Sequence, residues 1–183
     1  MRHMCTAYRK LGNLASAEEC GAESLRVALV HRMPQEINCS RLYLGLVWLE
    51  SGNLAEAQNA FQLAYEGFQA QGAITPGWEA LIWLAMVDLR SGAPACAVER
   101  ITPFLPSLLD HVTVGVREPY EMHLACYEIL AAVDDARAKT VLTTTYNQLL
   151  SNVNKVTDRS LLQCFWQAPV HHKIRARWQG LNA

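Results

Sequence analysis

Apolar residues recur along the chain at helical spacing. Leu42, Leu46 and Leu49 fall at i, i+4 and i+7, with Leu44 and Trp48 on a stripe beside them. Forty residues on, Ile82, Met86 and Leu89 repeat that spacing next to Leu81 and Leu84, and Asp88 interrupts the second stripe. Leu54, Ala57, Phe61, Ala64 and Phe68 trace another such face. A period near 3.6 residues predicts amphipathic helices. The period-two alternation that marks half-buried strands is absent, so a β-rich fold is excluded.

The breaks between these faces repeat. LGNLASAEE at 11–19 matches SGNLAEAQN at 51–59, and SGAPACAVE at 91–99 follows both more loosely. Gly12, Gly52 and Gly92 are forty residues apart, and Ala17, Ala57 and Ala97 keep the same register. Glycine ends a helix easily because it accepts positive φ. Asn13 and Asn53 then stand where they can cap the next helix, and Pro94 where its missing N–H costs little. Each unit therefore reads as helix, tight turn, helix, with alanines where two helices approach closely. A self-similar period of this length signals stacked repeats.

A fourth hairpin is present in altered form. The segment 118–132 reads as a helix, Asp134 and Asp135 replace the turn glycine, and Ala138, Leu142, Tyr146 and Leu149 stripe its partner. Pro103 and Pro106 should end or kink the second helix of unit three early. Thr157 or Asp158 can cap a short helix through Phe165 and Trp166, and Pro169 punctuates before a last helix to about Trp178. The expectation is an all-α domain over 1–183, with units at about 1–33, 34–73, 74–112 and 117–154 and a C-terminal cap at 157–179. The linkers expected between them, 33–36, 72–77 and 112–118, are short.

The repeat resembles the tetratricopeptide repeat. In unit two, Leu44 and Gly45 match the family's Leu-Gly pair and Trp48 its aromatic position. Gly52 is the turn glycine, and Ala57, Phe61 and Ala64 are the small–aromatic–small series of the second helix. In unit one Tyr8, Gly12, Ala17 and Leu25 fit, but Gly21 and Ser24 stand where Phe61 and Ala64 do. In unit three Leu84, Ala85, Gly92, Ala97 and Ile101 fit, and Asp88 replaces the aromatic. The resemblance implies a right-handed α-solenoid of about four antiparallel hairpins. It covers residues 1–111 well and 118–153 weakly, and its period exceeds the usual 34 residues. The C-terminal part, with Glu118-Pro119, Tyr127, Ala138, Leu142, Phe165, Pro169, Ile174 and Trp178, is similar to the ends of repeat arrays in bacterial signalling ATPases, cyclases and transcriptional regulators. That resemblance implies a regulatory arm of a larger protein. The register supports it: the first helix of unit one would begin several residues before Met1, and a solenoid end needs a cap. Chaperone-tail binders of the tetratricopeptide family clamp a carboxylate with Lys, Arg and Asn; residues 42–89 hold no Lys or Arg, which argues against that activity here.

Charge adds a distribution to this picture. The chain has 16 Lys and Arg against 17 Asp and Glu. Residues 42–89 carry five acids and no base, whereas 155–183 carry Lys155, Arg159, Lys173, Arg175 and Arg177 against Asp158. Without an overall basic excess, nucleic acid is disfavoured as a partner. No apolar run of about 18 residues exists to span a membrane. The start lacks the apolar core and cleavage site of a secretory signal, which places the chain in the cytoplasm as an expectation. The six cysteines form no CxxC pair and read as reduced core thiols.

Candidate chemistry is sparse. Of the histidines at 3, 31, 111, 123, 171 and 172, His123 lies at i, i+3 from Cys126, but no further metal ligands accompany them. No GxSxG elbow or P-loop occurs. Cys164 sits in an apolar setting that should quiet it. Glu18-Glu19 and Asp134-Asp135 read as first-turn acids favoured by the helix dipole. The chain is therefore expected to be non-enzymatic and free of cofactor or metal. Binding of a protein or peptide, or of other domains of a parent protein, is expected at a concave groove lined by first helices. Its candidates are Leu42, Leu46 and Leu49 in unit two, Glu79, Ile82, Met86 and Leu89 in unit three, and Leu124 and Glu128 in unit four. Free-standing adaptor and small-molecule sensor are the alternatives, and core packing is the plain reading of the same apolar stripes.

Overall fold

The structure, a computed structural model, describes residues 2–109 and 118–181. Among the described residues it contains eleven α-helices and no strand. They are α1 (Arg2–Lys10), α2 (Leu14–Val30), α3 (Pro34–Ser51), α4 (Leu54–Ala70), α5 (Ile74–Arg90), α6 (Pro94–Ile101), α7 (Leu105–Leu109), α8 (Pro119–Ala131), α9 (Arg137–Val153), α10 (Arg159–Gln167) and α11 (Pro169–Leu181). Contacts group the chain into two compact units, Met1–Arg100 and Ile101–Ala183. The expected linker 112–118 lies, Glu118 apart, outside the described residues.

One turn builds the first unit. Positive φ occurs at Gly12, Arg32, Gly52, Gly72 and Gly92, at intervals of twenty residues. At each, the turn residue's N–H reaches the carbonyl three residues back, and the next N–H reaches the carbonyl five back: Asn13 to Tyr8 at 3.0 Å, Met33 to Ala28 at 2.9 Å, Asn53 to Trp48 at 2.8 Å, Ala73 to Phe68 at 2.9 Å and Ala93 to Asp88 at 2.9 Å. This pair satisfies carbonyls that the helix end leaves open. The forty-residue sequence period is therefore two equivalent twenty-residue steps. The linkers expected at 33–36 and 72–77 are helix starts that follow the same turn. Asn13 caps α2 through the Ser16 N–H at 3.2 Å, whereas Asn53 makes no side-chain cap.

Consecutive helices α1 to α5 pack against one another. Small residues set how closely they approach. A Cβ on Gly45 would stand 2.5 Å from the buried Phe61 ring, and one on Gly21 would stand 2.7 Å from Leu44. Gly67 lies against the buried Asn38 side chain in the same way. Ala17, Ala57, Ala64 and Ala97 are fully buried, as the close-approach reading requires.

The second unit departs from that regularity. Pro103 lies in the turn after α6 and Pro106 in the short α7, so the proline break expected there is found. The α8–α9 turn keeps the same geometry at Asp134, with φ of 54° and the Asp135 N–H 3.0 Å from Leu130 O. Asp158 caps α10 through Ser160 N–H at 2.7 Å and Leu161 N–H at 3.1 Å. Leu124, Leu142, Leu149 and Ile174 form a buried cluster, with Tyr120, Tyr127, Tyr146, Phe165, Trp166, Val170 and Trp178 packed around it.

Candidate interaction surfaces

The expected groove residues are mostly core. Leu42, Leu46, Leu49, Glu79, Ile82, Met86 and Leu124 are buried, and Leu89 and Glu128 are half-buried. Buried side chains offer no surface to a partner. Their apolar stripes pack the helices instead, as such stripes do whenever a helix is covered on that side. Two of the five acids in the base-free stretch 42–89 are engaged as well: Glu50 takes an ion pair from the buried Arg9, and Asp88 takes one from Arg100 at 2.8 Å. Leu44, Gly45 and Phe61 are buried, Trp48 is half-buried and donates its indole N–H to Glu18 at 2.9 Å, and Gly12, Gly52 and Gly92 are exposed turn residues.

Other sequence expectations are corrected in detail. Only Cys5 and Cys126 are buried thiols; Cys20 and Cys39 are half-buried, and Cys96 and Cys164 are exposed. Burial pushes the Cys5 thiol up to about 11 and raises Cys126 well above the ordinary thiol range. Cys164 is not in the apolar setting expected for it. Glu18 and Glu19 stand beyond the first turn of α2, where no acid lies. Asp134 and Asp135 precede α9, and Asp135 accepts from the Arg137 backbone N–H at 2.9 Å and from its guanidinium at 2.6 Å. That ion pair holds the Asp135 carboxyl down at about 2. His123 is buried with its Nδ1 3.2 Å from the Thr145 hydroxyl. Among the described residues no group of three His, Cys, Asp or Glu side chains is placed to hold a metal ion.

Among the described residues, three open features stand out. The first is a cleft of about 380 Å³ between α4 and α5, walled by Tyr65, Trp78 and Leu81 and edged by Ile74, which is 65% exposed. Gly72, Ala73 and Gly77 complete its lining and keep it open, and Gln69 donates to the Tyr65 hydroxyl at 2.5 Å. Among the described residues no charged side chain lines it. Sequence reasoning treated 72–77 as linker and so passed over Ile74; the available signal was a Trp and an Ile flanking Pro76-Gly77. The second is a polar cleft of about 610 Å³ between α8 and α9, lined by Tyr120 and by Thr144, Asn147, Gln148 and Ser151 from one face of α9. The Asn152 amide fixes the Tyr120 hydroxyl at 2.7 Å.

The third is α11. Its inner side carries Val170, Ile174 and Trp178, and Trp178 stacks on Tyr146 with centroids 4.2 Å apart. His171 lies between Tyr120 and Phe165, at centroid distances of 5.0 and 4.1 Å, and its Nδ1 is 2.7 Å from Phe165 O. The outer side presents His172, Lys173, Arg175 and Arg177, all exposed. The Arg175 guanidinium sits 5.3 Å from the Trp166 ring centroid. Among the described residues no helix is long and apolar enough to cross a membrane. In comparisons with known proteins, no family model, no curated protein and no solved structure matches this chain.

Proposed function

We propose that the chain is a non-catalytic protein-interaction module of the tetratricopeptide-like, right-handed helical-repeat kind, serving as the regulatory arm of a larger bacterial signalling protein. The twenty-residue turn spacing and the Gly45–Phe61 approach support the repeat part of this reading. The interaction part rests on one observation, the open apolar cleft between α4 and α5. An isoleucine held 65% exposed beside a tryptophan and a tyrosine forfeits burial that a partner's apolar side chain would restore. Aromatic-walled pockets of this kind anchor peptides and protein edges. Occupancy of the cleft would change the contacts offered to a neighbouring catalytic domain, and the same cleft would serve a free-standing adaptor.

A photo-crosslinking residue at position 74, introduced in cells, tests this. A discrete adduct that disappears on adding Trp78→Ala supports the reading; no adduct above that of an exposed control position overturns it. A second reading, a small apolar ligand in the cleft, draws on its volume, which lies within the usual range for such sites. Such a ligand at about 100 times its Kd would stabilise the fold by roughly 2.7 kcal/mol.

A further inference from the structure

We infer that the outer face of α11 is a docking surface for an acidic protein segment. This rests on the interaction-module reading and names the chemistry of one partner. Lys173 and Arg177 lie at i and i+4, so two like charges face each other across one helical turn. No acidic residue occurs in α10 or α11, and among the described residues no ion pair reaches Lys173, Arg175 or Arg177. The helix dipole does not account for them, because the last turn of α11 holds no basic residue. The repulsion is thus left in place, and a carboxylate pair at helical spacing would relieve it. On the other flank Arg175 is set against Trp166, which fixes a guanidinium beside an aromatic surface.

Three kinds of anion compete for such a face, and the structure favours one. A membrane would draw in a row of apolar side chains, but along α11 the exposed residues include one large apolar side chain, Leu181, at the helix's last position. An extended nucleic acid needs a basic track longer than one helix, and in the rest of the second unit residues 101–168 carry seven acidic groups against five basic ones. A short acidic segment meets only the cations of α11.

The test uses the full chain and a short fluorescein-labelled peptide with glutamates at i and i+4, read by anisotropy at low and physiological salt. We expect saturable binding that weakens with salt and falls by at least about tenfold in the Lys173→Glu/Arg177→Glu double variant. Lys173→Gln/Arg177→Gln should show a smaller loss with an unchanged circular dichroism spectrum, and Lys139→Glu should leave binding intact. Absence of binding overturns the inference, as does equal binding by the double variant. Tighter binding of a single-stranded oligonucleotide, or self-association that the double variant abolishes, overturns it too by naming another occupant. A crosslink at position 74 without acidic-peptide binding would leave the interaction module standing and remove this proposal alone.

Discussion

The first unit repeats one step five times, and the second uses that step once. In Met1–Arg100 every helix from α3 to α6 starts twenty residues after the one before it, and each junction from α1 onward is the same left-handed turn. In Ile101–Ala183 the turn survives at Asp134, but Pro103 follows α6 almost at once and no two successive helices there start twenty residues apart. The cores differ accordingly. Glycines and alanines bring the helices of the first unit together, whereas Tyr146 on Trp178 and His171 between two rings fill the second. A local rule for ending helices is shared; the close glycine approaches are not. Large rings fill both cores, Phe61 and Phe68 in the first and Tyr146 and Trp178 in the second, but among the described residues only the first sets glycines directly against its neighbours' side chains.

The largest expected effects challenge that contrast in the cores. Phe61 is fully buried against Gly45, so Phe61→Ala should destabilise by about 3–5 kcal/mol in chemical denaturation. Gly45→Val should be harmful by about 1–3 kcal/mol, because the added carbons meet a ring that cannot swing away. Trp178→Ala in the second unit should lose less than Phe61→Ala, since Trp178 is only half-buried. If Trp178→Ala proves the more damaging, small-residue packing is not what sets the first unit apart.

A smaller effect sharpens the shared turn. Arg32 and Asp134 adopt φ of 51° and 54°, where a Cβ is unfavourable by roughly 1–2 kcal/mol. Arg32→Gly and Asp134→Gly should each raise stability, by up to about 1 kcal/mol after the entropy glycine gives back in the unfolded chain. Gly52→Ala should lower it by a similar amount. A gain at residue 32 with none at residue 134 would mean the two units do not share the turn energetically.

These positions also show what the sequence made legible. Gly12, Gly52 and Gly92 disclosed three turns because glycine is the residue that positive φ prefers. The turn at Arg32 was hidden by a side chain that tolerates the conformation only at a cost, and Gly72 by flanks that do not match the other glycines. The all-helical class followed from apolar periodicity together with these turns. The groove did not: Leu42, Leu46 and Met86 show the same i, i+4 spacing whether they face a ligand or a neighbouring helix, and here they are buried. Ile74 is the reverse, an apolar residue with no stripe around it that the fold leaves open. Core thiols were likewise overstated, because burial depends on which helix face a neighbour covers, and Cys96 and Cys164 fall on uncovered ones.

The smallest expected effect concerns acid. Asp135 holds its carboxyl at about 2 through the Arg137 guanidinium and backbone N–H, against 3.8 without them. A folded value below the unfolded one means the pair contributes stability above pH 3.8 and loses it as the pH falls toward about 2. The pair lies at the surface, with Asp135 half-buried and the Arg137 side chain 42% exposed, so water screens it and the contribution is small. An NMR titration of the Asp135 side chain should give a midpoint well below the ordinary carboxylate value. In Arg137→Gln that midpoint should rise toward the ordinary carboxylate value, and the acid-side loss of stability should flatten. A midpoint unmoved by Arg137→Gln would assign the stabilisation of this turn to its backbone bonds alone, which would make the turns of the two units alike in mechanism as well as in shape.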